Sequence, residues 1–173
     1  MPGAAPGTFD PVTFRLRSYR PADEEPVVAL SLRAWAPVFA SVANVLGSQL
    51  NGLLHGADWR PFQAEAVRAT LADPETEGWV AESEARVVGF VVFQVADSER
   101  RIGQIALLAV DPDAQRRGIG TALTEFATDR LRDRGLAVAV IGTGGDAGHA
   151  PARRLYEKAS YTPMPIVQYF KAL

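Results

Sequence analysis

The stretch with the clearest chemical character is Gln115-Arg116-Arg117-Gly118-Ile119-Gly120, which follows an apolar run ending at Val110 and an Asp111-Pro112 stop. Helical spacing begins at Ile119 and continues through Leu123, Phe126, Ala127 and Leu131, so the glycines stand where a helix opens. The first amides of a helix lack partners within it and carry about half a positive charge, which suits a phosphate. Glycine at 118 and 120 removes side chains that would hold a pyrophosphate away. The competing reading is a surface turn with two solvated arginines, and Arg116 and Arg117 are exposed under either. The third glycine of a dinucleotide fingerprint and the Gly-Lys-Ser/Thr of a nucleoside triphosphate loop are both missing. His149, near the start of a later helix with Pro151 in its first turn, is either a capping residue or an imidazole available for contact.

The elements that must position these residues follow from hydrophobic period. Residues 13–17 alternate Phe14 and Leu16 with arginines, as a strand with one buried face does. Val28, Leu32 and Trp35 give a helix over residues 23–36 that Pro37 should end, residues 37–61 read as short helix and loop, and residues 61–72 as a second helix. Strands follow at 78–82 and 86–96, joined by a Glu84-Ala85 turn, then at 102–110. A helix over 118–134 closes at Gly135, residues 136–141 read as a strand buried on both faces, Ala152, Leu155, Tyr156 and Ala159 share a helix face, and residues 166–172 read as a last strand. Strand and helix alternating in this half imply a mixed, partly parallel sheet with helices on both faces.

Composition bounds the function. The 173 residues fit one domain over 12–173, behind a Pro-, Gly- and Ala-rich leader over 1–11 that lacks the basic start and apolar run of a signal peptide. With no cysteine, disulfides, thiolate metal sites and a cysteine nucleophile are excluded, and His55 and His149 alone do not make a histidine metal centre, so no metal is expected. A net charge of -2 gives no field for nucleic acid, and the apolar runs at 105–110 and 136–141 are too short for a bilayer, so neither a nucleic-acid nor a membrane partner is expected and the location expected is cytoplasmic.

The chain resembles the GCN5-related N-acetyltransferases (GNAT family). Gln115 to Gly120 after Val110-Asp111-Pro112 matches their Gln/Arg-x-x-Gly-x-Gly/Ala signature, and Ala152-Arg153-Arg154-Leu155-Tyr156-Glu157-Lys158-Ala159-Ser160-Tyr161 is similar to their second, Ala-x-x-Leu-Tyr-Glu-Lys-x-Gly-Phe. The resemblance covers residues 102–161. It implies that the strand ending at Val110 splays from the one starting at Ala137, with acetyl-CoA in the gap as co-substrate. The pantetheine then pairs along Leu108, Ala109 and Val110. The pyrophosphate rests on the loop opened by Gln115, at the amides of Arg116, Arg117, Gly118, Ile119, Gly120 and Thr121, with the Thr121 hydroxyl in reach. His149 occupies the place of an asparagine that contacts the cofactor, and Tyr156 is the implied general acid for the departing thiolate.

The implied reaction moves an acetyl group to a primary amine of a small molecule or peptide by direct attack; the alternative is an acyl-CoA-binding sensor or structural module of the same fold without turnover. Homodimers occur in the family. Beside His149 in place of that asparagine, two further departures matter: Ser160 replaces the usual glycine, and Gln104, which cannot take a proton, stands where many members carry a glutamate base. That substitution implies a weakly basic acceptor or deprotonation through water, with His149 the nearby imidazole. Trp35, Phe39, Trp59 and Phe62 flank the segment that in this family helps form the acceptor pocket, and Asp58, Glu82, Asp97 and Glu99 are carboxylates that could draw in an amine.

Overall fold

A computed structural model describes residues 13–173, and the leader expected over 1–11 lies outside them. Strands β1 (Arg15–Ser18), β2 (Thr76–Ser83), β3 (Arg86–Asp97), β4 (Ile102–Val110) and β5 (Val138–Ile141) form one sheet in that spatial order. The first four run antiparallel, and β5 joins β4 in parallel. The centre of β3 is apolar on consecutive residues because both of its faces are covered. Phe90 and Val92 pack with Val27, Leu30 and Val67 of α1 (Glu24–His55) and α2 (Trp59–Ala72). Val91 and Phe93 pack with Leu123, Ala127 and Leu131 of α3 (Ile119–Asp133) on the opposite face. Each fully buried Val, Leu or Phe among them is worth about 1.5–3 kcal/mol, so the sheet is clamped from both sides. The last helix, α4 (Ala150–Lys158), lies against the start of α3, where a Cβ on Gly120 would stand 3.2 Å from Leu155.

Four sequence expectations need correction. Pro37 does not end α1, which continues past it, breaks at Gly47 (φ 75°, ψ 166°) and resumes as a short helix to His55, so residues 37–55 hold more helix and less loop than expected. A proline inside a helix costs about 3 kcal/mol. Burial of Phe39 and the packing of Gly148 onto Pro37, Val38 and Ser41 hold the continuation in place. Second, β5 begins at Val138 and is covered on one face only: Ala139 and Ile141 pack toward α3 while Val138 and Val140 are 49% and 44% exposed. Third, residues 166–172 form no strand; Ile166, Val167 and Tyr169 are exposed, and Pro163 and Pro165 interrupt the chain before them. Fourth, by length and composition the stretch Pro21–His55 is long and apolar enough to cross a membrane, which the count of short apolar runs overlooked. In this structure Val27, Val28, Leu30 and Phe39 put its inner face in the core.

Candidate active site

The sheet divides where its parallel pair ends. Ile105 is the last β4 residue opposite β5, and β4 continues alone to Val110. A bulge marks the point: Phe93 pairs with Ile105 and Val92 with Leu107, which leaves Ala106 without a partner. A bulge bends its strand and re-aims the residues beyond it. Past Ala106 the amide of Asp111 donates to the Val88 carbonyl at 2.9 Å, so Asp111, Ala109 and Leu107 turn their backbone groups toward β3. By alternation Leu108 and Val110 turn theirs toward the open edge, whereas Ala109 contributes only its side chain, packed in the core facing α1. The edge borders a cleft of about 520 Å³ whose other walls include Trp35, Gly142, His149 and Tyr156.

The floor of the cleft at the Val110 end is the start of α3. Gly118 caps the helix with φ 83°, a left-handed conformation that only glycine adopts without cost, and Arg116 is also left-handed at φ 61°. The first hydrogen bond of the helix runs from the Ala122 amide to the Gly118 carbonyl at 3.0 Å. The amides of Ile119, Gly120 and Thr121 precede it and have no intrahelical acceptor. Gly120 serves a second purpose, since its bare Cα lets α3 approach Leu155 and Val110. Gln115, Arg116, Gly118, Gly120 and Thr121 line the cleft. The side chain of Gln115 folds back to donate to the Val110 carbonyl at 3.3 Å, occupying one group of the open edge. Arg117 points into solvent and does not line the cleft, and the Ile119 side chain is 1% exposed in the core, leaving only its amide available.

His149 and Tyr156 stand seven residues apart, about two turns and therefore on one side of α4. Both face the cleft. Tyr156 is 9% exposed, and burial, with Tyr161 nearby, pushes its phenol up to about 12. Tyr161 is fixed by a 2.8 Å hydrogen bond between its hydroxyl and that of Thr128. The Nδ1 of His149 is bonded to Asp146, whose other oxygen accepts the Gly148 amide at 3.0 Å. That amide also donates to the Ser41 hydroxyl at 2.9 Å, tying the loop to α1. Burial pushes the Asp146 carboxyl up, but the Ser41 hydroxyl and the His149 ring outweigh it and hold the group below the usual carboxylate range. An ionised Asp146 accepts a hydrogen bond from Nδ1–H, which leaves Nε2 as the ring nitrogen outside that bond, on a side chain that lines the cleft.

The structure keeps the other flagged residues out of the cleft, Trp35 excepted. Phe39 stacks on Trp59 with centroids 4.3 Å apart, and His55 sits edge-on to both Phe39 and Phe62 at 5.2 Å, as packing at the α1–α2 corner. Asp58 caps α2, Glu82 is paired with Arg15 and Arg17, Asp97 accepts the Arg100 amide, and Glu99 is exposed. Ala106 and Asp146 were missed by sequence reading. A bulge leaves no compositional mark, whereas a carboxylate three residues before a histidine on a tight turn was a usable signal.

With this geometry in view, the chain can be compared with known proteins. The family described as Acetyltransferase (GNAT) family matches residues 47–161. A mycothiol acetyltransferase of Saccharomonospora viridis is 32% identical over 92% of this chain and 49% of its own length. That of Sanguibacter keddieii is 33% identical over 85% of this chain and 43% of its own. The chain thus spans about half the length of these curated relatives. Among solved structures, the ribosomal-protein-S18-alanine N-acetyltransferase of Escherichia coli superposes with a TM-score of 0.62 at 22% identity, over 88% of this chain and 80% of that one. AAC(6')-Iy, solved with the bisubstrate analog CoA-S-monomethyl-acetylneamine, gives 0.63 at 10% identity, over 93% and 99%. These likenesses establish the fold.

Proposed function

This chain belongs to the GNAT acetyltransferase family, and from that premise we propose that it transfers an acetyl group from acetyl-CoA to an amine. The observation that carries the reading is the split between β4 and β5, whose free backbone edge at Leu108 and Val110 leads directly to the unpaired amides opening α3. An extended amide-bearing arm can pair with the edge as a strand would, while an anion at its far end meets the helix start. Acetyl-CoA supplies an acetyl group already activated as a thioester. The amine nitrogen attacks its carbonyl carbon, a C–N bond forms as the C–S bond breaks, the amine proton passes to water and the thiolate leaves with a proton. No covalent enzyme intermediate is required, in keeping with the absence of cysteine.

Within this reading, residues 118–121 hold the pyrophosphate through their amides, Leu108 and Val110 align the pantetheine, and His149 faces it from the opposite wall. Tyr156 donates a hydrogen bond to the departing sulfur. Acetyl transfer in the cytoplasm, without metal, is the setting proposed. The test is release of free thiol from acetyl-CoA in the presence of a panel of amines, including the acceptor used by mycothiol acetyltransferases. Amine-dependent thiol release above the hydrolysis background is expected. Tight CoA binding with no release for any amine would favour a sensor.

A further inference from the structure

The sheet face that carries α1 and α2 is left bare toward β5. Val138 and Val140 are half exposed there, and Gln104 lies opposite Val140 in register, with Gln94 opposite Gln104 in turn. The other face at this level is closed, because Leu131 and Leu136 of α3 and its following turn fill the space a Cβ on Gly103 would need. A recess of about 340 Å³ opens on the bare side, lined by Thr70, Asp73, Thr76, Gln94, Gln104 and Ala106. Ala106, the bulged residue, belongs to the walls of both this recess and the cleft. A molecule in the recess therefore reaches the split from the side that α3 does not block.

We infer that this recess receives the acceptor, and that it selects a monoamine carrying neutral hydrogen-bonding groups, hydroxyl or amide, over a polycation. The inference rests on the transferase reading above. Gln94 Nε2 donates to Gln104 Oε1 at 3.3 Å, which leaves the Gln104 amide nitrogen as a donor and the Gln94 oxygen as an acceptor for a ligand. The Thr70 and Thr76 hydroxyls spend their protons on main-chain carbonyls, of Ala66 and of Thr70 and Asp73. They can only accept from a ligand. Among the described residues, Asp73 is the one carboxylate in the lining, and one of its oxygens already takes the Glu75 amide at 2.9 Å. One positive charge can be matched there, whereas a second ammonium would meet only the neutral oxygens of Gln94, Thr70 and Thr76, with no opposite charge to offset it.

The experiment measures kcat/KM, at fixed acetyl-CoA, for glycinamide, a 2-amino sugar, hexylamine and spermidine. The hydroxyl- or amide-bearing monoamines are expected to exceed spermidine by tenfold or more. Gln104→Glu should narrow that ratio at least fivefold, and Gln94→Leu should raise KM for the neutral polar amines, both with KM for acetyl-CoA unchanged. Spermidine as the best wild-type acceptor would overturn the inference, as would acceptor KM values unmoved by both substitutions. CoA binding with no transfer to any amine would instead overturn the transferase reading and this inference with it, a result distinguishable because no acceptor ranking then exists.

Discussion

Asp146 holds His149 by its Nδ1 from three residues upstream, which leaves Nε2 as the free ring nitrogen of a side chain lining the same cleft as Leu108 and Val110. In a neutral ring with its proton on Nδ1, Nε2 is a hydrogen-bond acceptor, suited to an amide N–H of the pantetheine arm. Removing one such bond costs about 1 kcal/mol. His149→Ala should raise the dissociation constant of CoA about fivefold by calorimetry while adenosine 3',5'-bisphosphate, which lacks the arm, binds unchanged. Equal weakening of both ligands would assign His149 a structural role.

A phenol raised to about 12 stays protonated throughout the working pH range. Full transfer of its proton to a thiolate near 8.5 is uphill by about 5 kcal/mol, so Tyr156 acts by donating a hydrogen bond rather than by surrendering the proton at equilibrium. Tyr156→Phe should lower kcat about 10²-fold at most, at the low end for an acid group, with the CoA dissociation constant retained. A wild-type kcat would remove the hydroxyl from the chemistry.

Ser160 follows α4 with φ 65°, a left-handed residue where the second family signature has glycine. A side chain in that conformation costs about 1 kcal/mol. Ser160→Gly should raise the unfolding free energy by up to about 1 kcal/mol in urea, less whatever entropy glycine adds to the unfolded chain. A destabilised variant would mean that the serine side chain is compensated by a contact.

Legibility in the sequence divided along physical lines. The opening of α3 was readable because a stop at Asp111-Pro112, two glycines and the start of a helical period are all local signals, and the β3 strand over 86–96 was readable because its valines are strong strand formers. The course of α1 was not, since Pro37 ends most helices and only distant packing, of Phe39 in the core and Gly148 against Val38, carries this one onward. The bulge at Ala106 and the bare face of β5 depend on which strand neighbours which, and valine at 138 and 140 looks the same whether covered or exposed. Hence the strand end at Leu108–Val110 and the glycines opening α3 could be placed from sequence, and the recess beside Gln104 only in three dimensions.

Arg17 links β1 to the entry of α1 through paired hydrogen bonds to Asp23 at 2.7 and 2.8 Å, and the guanidinium holds that buried carboxyl below its usual range against the opposing pull of burial. A carboxyl whose folded value is depressed adds stability above its unfolded value near 3.9, and that stability is lost as pH falls through the folded value. Asp23→Ala should therefore cost about 2 kcal/mol at pH 7, the worth of a charged hydrogen-bonded pair. The gap between variant and wild type should shrink as pH falls below about 4, toward the depressed folded value. A gap independent of pH would show that Asp23 acts through packing alone.

If CoA lies between β4 and β5, hydrogen exchange of individual backbone amides should report it directly. Addition of saturating CoA is expected to slow exchange at Leu108 and Val110, whose N–H groups face the open edge, and at Ile119, Gly120 and Thr121, whose N–H groups have no helical acceptor, while Gly78 and the amides of α2 stay unchanged. Binding of CoA with those five amides exchanging as fast as before, or with protection elsewhere on the chain, would contradict the placement of the co-substrate in the split sheet.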